Sequence, residues 1–238
     1  MFPAPLVITI LLAVALGAAA GIVVSRLEIR PVVNRLRAEL ADAVWQLTHD
    51  PLTGLLNRTG LRAIHTAAAA SGEPRPVVAV LIDLDLFKEV NDAHGHDVGD
   101  ELLTATADRI GQLAAVFGGH AARLSGDEFA AILPRGRHRL ASLAEQFTTV
   151  IAVPVEVHTE NGPITVAITA SLGIAVTSST EPLEAVALRH ADMAMYHAKR
   201  HGGNRHVLHQ PGMTMPGRRV RRGPRWRDRR RDPSGSAE

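Results

Sequence analysis

The chain of 238 residues contains no cysteine. This absence excludes disulfide bonds, thiolate catalysis, and zinc or iron–sulfur sites with cysteine ligands. Aromatic residues make up only 3% of the chain, whereas 46% of it is apolar and 21% is charged. That apolar fraction is ordinary for a folded protein and excludes disorder of the whole chain. The length suits one domain with attachments, or two small domains.

Charge is also missing from one end of the chain, because no charged residue precedes Arg26. As a helix, the uncharged run at residues 5–25 would span roughly 31 Å at about 1.5 Å per residue, close to the thickness of a bilayer's hydrocarbon core. A cleaved signal peptide is the competing interpretation, but its basic leading segment is missing. We expect a single-pass transmembrane helix over residues 1–25. The arginines after it predict that the rest of the chain lies on the cytoplasmic side of the cytoplasmic membrane.

Positive charge is concentrated at the other end. Residues 210–238 carry nine arginines and three acidic residues, a net charge of +6. Because the net charge of the whole chain is +2, the rest of the chain carries −4. We expect this segment to be a disordered Arg-rich tail. Three roles fit this segment: a solvated extension, a contact with anionic lipid headgroups, or an RNA contact with bases stacked on Trp226. Because the folded body is not basic, a general nucleic-acid partner is not indicated.

A short heptad pattern follows the uncharged run, within residues 26–47. Its apolar positions, spaced by steps of three and four, are Val33, Leu36, Leu40, Ala43 and Leu47. This spacing is typical of a helical stalk that pairs with a second copy, but also of a connector helix that packs on its own domain.

The remaining body, residues 48–209, mixes strand and helix patterns. Strand patterns occur at residues 77–84, 128–134, 153–159 and 164–176, with the last two joined by an Asn161-Gly162 turn, and helical patterns at 98–117, 138–152 and 182–201. The mixture predicts an α/β domain with a mixed or antiparallel sheet.

Acidic clusters mark the predicted strand ends and turns, at residues 82–92, 94–101 and 125–129. Asp83 and Asp85 are two apart and share a strand face. Carboxylates from neighbouring strand ends can hold a hard cation, and Lys88 with nearby backbone amides can hold phosphates. The pattern indicates metal-assisted phosphoryl or nucleotidyl transfer. Plain solvated turn chemistry explains the same residue types.

Six ordered motifs make the sequence resemble the GGDEF family of diguanylate cyclases. They are DPLTGLLNR at 50–58, DLDLFKEVND at 83–92, GHDVGD at 95–100, RLSGDEF at 123–129, SLGIAV at 171–176 and ADMAMYHAKRHGGNR at 191–205. The resemblance covers roughly residues 48–208. It implies a palm-like fold with a five-stranded mixed sheet flanked by helices.

The resemblance also implies an activity and its partners. Two GTP molecules would condense to cyclic di-GMP and two pyrophosphates, each 3′-hydroxyl attacking the α-phosphate of the other nucleotide. The cofactor would be Mg²⁺ or Mn²⁺. Because one domain binds one GTP, catalysis would need a homodimer, and a stalk would raise the local concentration of the second domain.

Roles for individual residues follow from the same motifs. Asp83, the carbonyl of Leu84, Asp127 and Glu128 would hold the metal, and Asp127 would also be a candidate base for the 3′-hydroxyl. The substrate contacts would come from Leu86, Phe87, Lys88 and Lys199 at the phosphates, from Asn91 and Asp100 at guanine, and from Gly126, which permits close backbone approach.

Three departures from the family pattern stand out. Ser125 replaces the usual first glycine of the signature, and Gly203 stands where the closing motif usually has an arginine that contacts phosphate. Residues 116–119 lack the R-x-x-D motif of the inhibitory product site, so we expect no product inhibition through it.

Two alternatives to the cyclase stay open. A catalytically silent GGDEF domain could bind GTP or dock a partner, which Ser125 and Gly203 favour. In the other alternative, the Arg-rich tail tethers nucleic acid or lipid and the domain is a scaffold. No E-A-L phosphodiesterase motif in a second domain is present.

Overall fold

The computed structural model describes residues 3–70, 72–160 and 162–215; the side chains of residues 4–8, 10–11 and 19–28 also lie outside the description. The Arg-rich tail predicted at 210–238 falls almost entirely beyond it. Within the described residues, no helix is both long and apolar enough to cross a membrane. The transmembrane helix predicted over 1–25 falls largely on undescribed side chains and stays a prediction.

The order of elements follows the predicted alternation of helices and strands. The helices are α1 (Ala4–Thr48), α2 (Arg58–Ala69), α3 (Phe87–His94), α4 (His96–Val116), α5 (Leu140–Ile151) and α6 (Arg189–Arg200), and a π-helical segment, Leu183–Leu188, leads directly into α6. The strands are β1 (Pro76–Asp85), β2 (His120–Ser125), β3 (Glu128–Pro134), β4 (Val155–Thr159), β5 (Gly162–Val166), β6 (Thr169–Ser178) and β7 (Arg205–Leu208).

Five strands form the central sheet, in the order β2-β3-β1-β6-β7. All neighbouring pairs are antiparallel except β6 and β7, which are parallel. The predicted five-stranded mixed sheet is therefore confirmed. The central strand β1 is almost wholly buried, which explains its continuous apolar, β-branched sequence.

One predicted strand is wrong in its extent. The pattern at residues 164–176 is two strands in different sheets: β5 pairs with β4 in a separate hairpin, while β6 pairs with β1. The hairpin itself forms, with Thr159 opposite Gly162; Asn161, which was assigned to its turn, is not described. Strand β5 ends at Val166 and β6 begins at Thr169. Because Val166 and Ile168 are both buried, the apolar sequence pattern continues between the two strands and gives no sign of where one ends.

Helices cover both faces of the central sheet and divide the core into two clusters. On one face, α4 and α5 pack against the sheet through residues such as Leu102, Ile110 and Phe147. On the other, α2, the π-helical segment and α6 contribute Leu61, Leu188 and Met195 to a smaller cluster shared with the sheet. The arrangement leaves the ends of β1 and β3, with the turn between β2 and β3, accessible at one edge.

The first helix is continuous from Ala4 to Thr48, with Pro31 inside it. Three of its heptad positions are exposed rather than packed on the domain: Leu36, Leu40 and Leu47 keep 58%, 65% and 68% of their surface. The connector interpretation of residues 26–47 therefore finds no support in the contacts of these leucines.

Candidate active site

The signature turn, residues 125–128, lies directly beside the end of β1. Strands β2 and β3 form a hairpin in which Ser125 is opposite Glu128, with a register shift between Arg123 and Ser125. Glu128 is in turn the register partner of Asp83 on β1, and the Leu84 N–H donates to the Asp127 carbonyl at 3.3 Å. Strand pairing thus brings together Asp83, Asp127 and Glu128, as the sequence predicted.

Asp83 is the buried acid of this group, with 7% of its surface exposed. Burial raises the pKa of its carboxyl, the ammonium of Lys199 opposes that rise, and the negative charges of Asp127 and Glu128 add to it. The Lys199 Nζ lies 2.6 Å from Asp83 Oδ2. Lys199, predicted to contact phosphate, is therefore the counter-ion of a predicted metal ligand in this structure.

Backbone geometry creates an anion-binding cradle immediately after β1. Leu86 has φ 59° and ψ 28°, a left-handed conformation that is strained for leucine. It caps the N-terminus of α3, whose first N–H groups have no acceptor within the helix. Phe87 anchors this turn in the core, while Lys88 is 84% exposed and 4.0 Å from Asp92. The cradle matches the predicted phosphate site at Leu86, Phe87 and Lys88.

The predicted guanine residues lie where α3 meets α4. The Asn91 Oδ1 atom is buried and has no hydrogen-bond partner. A Cβ at Gly99 would come within 1.9 Å of that oxygen, so only glycine at 99 lets Asn91 keep its position. Asp100, the next residue on α4, is exposed. The exposed Asp100 carboxylate suits the N1–H and N2–H donors of guanine, whereas the buried Asn91 Oδ1 would have to become accessible to accept from either donor.

The serine of the signature turn makes a contact that the sequence did not reveal. The Ser125 hydroxyl donates to Glu128 Oε2 at 2.9 Å. Gly126 has φ 47° and open space where a side chain would begin, as expected for a residue approached closely by a nucleotide.

The second aspartate of the β1 motif holds the closing turn. Asp85 accepts hydrogen bonds from Thr169 Oγ1 at 2.8 Å, Ser171 Oγ at 2.7 Å and the Asn204 N–H at 2.8 Å. Gly203 has φ 69°, and a Cβ there would lie 2.9 Å from Asp85 Oδ1. The glycine that replaces the family's arginine is thus pressed against Asp85.

Arg123 is a further residue that sequence reasoning did not single out. Its Nε donates to the Gly126 carbonyl at 2.8 Å, and its Nη1 lies 3.1 Å from Asp50 Oδ1. Asp50 also accepts from the N–H and hydroxyl of Thr53. Arg123 therefore fastens the signature turn to the segment that follows α1. An arginine two positions before the signature was the available signal.

The donor chemistry fits a divalent cation that shares its ligands with substrate. Among the described residues, no three histidine or acidic side chains lie close enough to form a complete metal site. Mg²⁺, however, is commonly held by one or two carboxylates together with substrate phosphates. Asp83 and Glu128, in register across two strands and flanked by Asp127, provide such carboxylates. Asp127 and Glu128 also add negative charge beside Asp83.

Comparison with known proteins agrees with this geometry. A family model described as "Diguanylate cyclase, GGDEF domain" matches residues 47–205. The bifunctional diguanylate cyclase/cyclic di-GMP phosphodiesterase MucR of Pseudomonas aeruginosa is 37% identical over 219 residues, which cover 89% of this chain and 31% of MucR. The response regulator PleD of Caulobacter vibrioides is 33% identical over 191 residues, covering 76% of this chain and 40% of PleD. The chain thus spans less than half the length of these relatives.

Solved structures show the same fold. The coiled coil and GGDEF domain of DgcB from Caulobacter crescentus, in complex with c-di-GMP, matches with a TM-score of 0.64 and 32% identity, covering 77% of this chain and 99% of that one. Diguanylate cyclase SiaD of Pseudomonas aeruginosa, in complex with its activator SiaC, matches with a TM-score of 0.60 and 27% identity, covering 84% of this chain and 78% of that one. With a family model that matches most of its length, this chain belongs to the GGDEF diguanylate cyclase domain family.

Proposed function

We propose that this protein is a diguanylate cyclase that joins two GTP molecules into cyclic di-GMP. The observation that carries the proposal is the placement of the buried Asp83, with Asp127 and Glu128 across the strand pair, directly before the anion cradle at Leu86. This arrangement brings carboxylates and phosphate-binding amides to the same edge of the sheet, as nucleotidyl transfer requires.

Each domain binds one GTP through contacts at its two ends. Asn91 and Asp100 accept hydrogen bonds from the N–H groups of guanine. The N-terminus of α3, with Lys88, holds the β- and γ-phosphates. Lys199, paired with Asp83 in this structure, would contact phosphate where a cation shared that carboxylate. A bound Mg²⁺ or Mn²⁺ offsets phosphate charge and lowers the pKa of the attacking hydroxyl.

The chemical step couples two domains. The 3′-oxygen of one GTP forms a bond to the α-phosphorus of the other, its proton passes to a carboxylate oxygen of Asp127, and the bond to the β-phosphate oxygen breaks to release pyrophosphate. The same step in the opposite direction closes the ring. Because each nucleotide is both attacker and target, two domains must face each other.

The stalk supplies the second domain. Apolar heptad positions on α1, among them Leu36, Leu40 and Leu47, are exposed along one seam and fit a second copy of the same helix. DgcB, which was solved with its coiled coil, supports this assignment by analogy.

We also propose that the uncharged run at residues 5–25 anchors the protein in the cytoplasmic membrane, with the catalytic domain on the cytoplasmic side. The sequence supports this, through the run itself and the arginines after it. In cell fractionation, the full chain is expected in the membrane pellet after a carbonate wash. Recovery in the washed supernatant would contradict the anchor.

A silent GTP-binding module is the second candidate, and Gly203 favours it. A phosphate-contacting arginine is absent from a turn whose backbone is held against Asp85. A lost charge-assisted contact weakens phosphate binding about ten- to a hundredfold. Purified chain that binds GTP with Mg²⁺ but yields no product, even when forced to dimerise, would establish this module instead.

The site assignments are tested by separating binding from chemistry. Asn91→Ala is expected to raise KM for GTP at least tenfold, because the guanine contact contributes to binding in ground and transition states alike. Asp127→Asn is expected to lower kcat by at least a hundredfold while GTP still binds. Equal loss of binding in both variants would contradict these roles.

A further inference from the structure

Ser125 is the one residue of the signature turn whose side chain touches a proposed metal ligand. Ser125 and Glu128 are register partners across the β2–β3 hairpin, and the serine hydroxyl donates to Glu128 Oε2 at 2.9 Å. Glycine, the usual residue of the family pattern at this position, has no hydroxyl. This contact is therefore a property of this chain.

The turn holds the serine in a defined place. The register shift between Arg123 and Ser125 ends the regular pairing of β2, and Arg123 fixes the far side of the turn through the Gly126 carbonyl. Because the backbone on both sides is tied down, the hydroxyl selects one arrangement of the Glu128 carboxylate. The contacted atom is Oε2 of that carboxylate.

We propose that Ser125 is a positioning residue that prepares Glu128 to hold the divalent cation bound with GTP. Glu128 is half-buried, and a glutamate must lose its remaining rotamer freedom when it binds a cation. A carboxylate already held by Ser125 has less freedom to lose, so the cation binds more tightly. This inference rests on the proposed function, in which Glu128 is a metal ligand.

The same hydrogen bond could instead weaken cation binding, and the two effects predict opposite results when the hydroxyl is removed. A hydrogen bond withdraws electron density from a carboxylate and competes for its lone pairs, which would weaken the cation's binding. Removal of the hydroxyl therefore weakens cation binding under positioning and strengthens it under competition. The size of either effect is that of one hydrogen bond to a charged group at a surface, about three- to tenfold in affinity.

The experiment measures Mn²⁺ binding directly, by electron paramagnetic resonance of free Mn²⁺. It uses the full 238-residue chain with a GTP analogue whose α,β-bridging oxygen is a methylene group, so that no turnover occurs. Ser125→Ala and Ser125→Gly are expected to weaken Mn²⁺ binding about three- to tenfold. Ser125→Thr, which keeps the hydroxyl, is expected to stay within about twofold of the wild type.

A second pair of variants shows that the effect passes through Glu128. In a Glu128→Ala background, Ser125→Ala is expected to change Mn²⁺ affinity no further. Ser125 is exposed and Glu128 is half-buried, and the unfolding midpoint serves as a check that the variants remain folded.

The outcomes separate this inference from the proposed function. Unchanged or tighter Mn²⁺ binding in Ser125→Ala overturns the positioning role, and so does an equal effect of Ser125→Ala in the Glu128→Ala background. If Glu128→Ala weakens binding while Ser125→Ala does not, only the serine's role fails. If Glu128→Ala leaves Mn²⁺ affinity unchanged, Glu128 is not a ligand, and both this inference and its assignment under the proposed function fail.

Discussion

Asp83 occupies a position where its own charge is disfavoured. Burial raises the pKa of its carboxyl, and only the Lys199 ammonium opposes the combined effect of burial and the neighbouring acids. A carboxyl whose pKa is shifted by burial and by specific charged neighbours is a candidate functional group. The Lys199 ammonium, 2.6 Å from Asp83 Oδ2, is the positive partner that opposes this rise.

Gly99→Ala tests the guanine site at the scale of one methyl group. The added Cβ would come within 1.9 Å of Asn91 Oδ1, which forces the amide to rotate away. We expect GTP affinity to fall about tenfold or more, comparable to the loss of a hydrogen-bonded contact. Calorimetric titration of GTP measures it.

Gly17→Ala is the matched control, since it makes the same change in a helix where nothing lies within 4 Å. Equal GTP affinity in Gly99→Ala and wild type would show that Asn91 does not read guanine.

Gly203→Arg tests whether the family's arginine can be restored. We expect no gain in GTP affinity and a lower unfolding midpoint, because position 203 has φ 69° and a Cβ would lie 2.9 Å from Asp85 Oδ1. Gly202 also has a positive φ, 102°, but a Cβ there would meet nothing within 4 Å. Gly202→Ala therefore measures how much the backbone conformation alone lowers stability when glycine is replaced. A tenfold gain in GTP affinity for Gly203→Arg would refute this view of the closing turn.

At the scale of elements, the Asp50–Arg123 pair joins the segment after α1 to the β2–β3 hairpin. Burial alone would raise the pKa of Asp50, but hydrogen bonds from Thr53 and Arg123 hold the pKa below its usual value. Both side chains of the pair are largely buried, with 20% and 13% of their surface exposed. The pKa of Asp50 is lower in the folded state than in the unfolded state. The stabilisation is therefore fully present above the unfolded-state pKa and is lost as the pH falls through the folded-state pKa.

Asp50→Ala is therefore expected to lower the free energy of unfolding by about 2 kcal/mol at neutral pH, and the difference from wild type should shrink below about pH 4. Urea unfolding at several pH values measures it. Asp42→Ala, on an exposed position of α1, is the control. A difference that stays constant from neutral to acid pH would contradict the role of the Asp50 charge.

The elements that the sequence predicted well are those with a clear period or a continuous apolar run. Strand β3 coincides with the predicted 128–134, and β1 extends its predicted range by one residue at each end. Helix α4 begins two residues before its predicted range and ends one residue before the end of that range. Strand β7 was not predicted, because its four residues are too short to show alternation. The break between β5 and β6 depends on pairing with β4 and β1, which no local pattern records.

Some features of the candidate site could be predicted from the sequence and others could not. Asp83, Asp127 and Glu128 could be predicted to converge, since the motifs place them at the ends of strands that pair. The contacts of Ser125 with Glu128 and of Asp85 with the Asn204 N–H could not, because they depend on side-chain directions and on turns that bring distant segments together.

At the scale of the whole molecule, α1 and the catalytic domain are connected through a few specific contacts. The Asn57 side chain donates to the carbonyls of Leu47 and His49 at the end of α1 and accepts the Gly60 N–H at the start of α2. The seam of α1 thus has a defined attachment to the domain that carries Asp127. This suits a stalk that sets how two domains face each other.

Leu40→Glu tests the stalk. A charge at an exposed seam position should separate the two helices, so turnover per chain is expected to fall at least tenfold at low protein concentration while GTP binding is unchanged. Ala38→Glu places the same charge off the seam and should leave turnover unaltered. Equal turnover in Leu40→Glu and Ala38→Glu would contradict pairing through this seam.

The central claim is that two GTP molecules become one cyclic di-GMP, and the most direct measurement counts the products. The full chain is incubated with GTP and Mg²⁺, and cyclic di-GMP and pyrophosphate are quantified by chromatography and a coupled pyrophosphate assay. The account predicts two pyrophosphates for each cyclic di-GMP, with both products absent in Asp127→Ala. No cyclic di-GMP at saturating GTP and high protein concentration, or product that persists in Asp127→Ala, would contradict it.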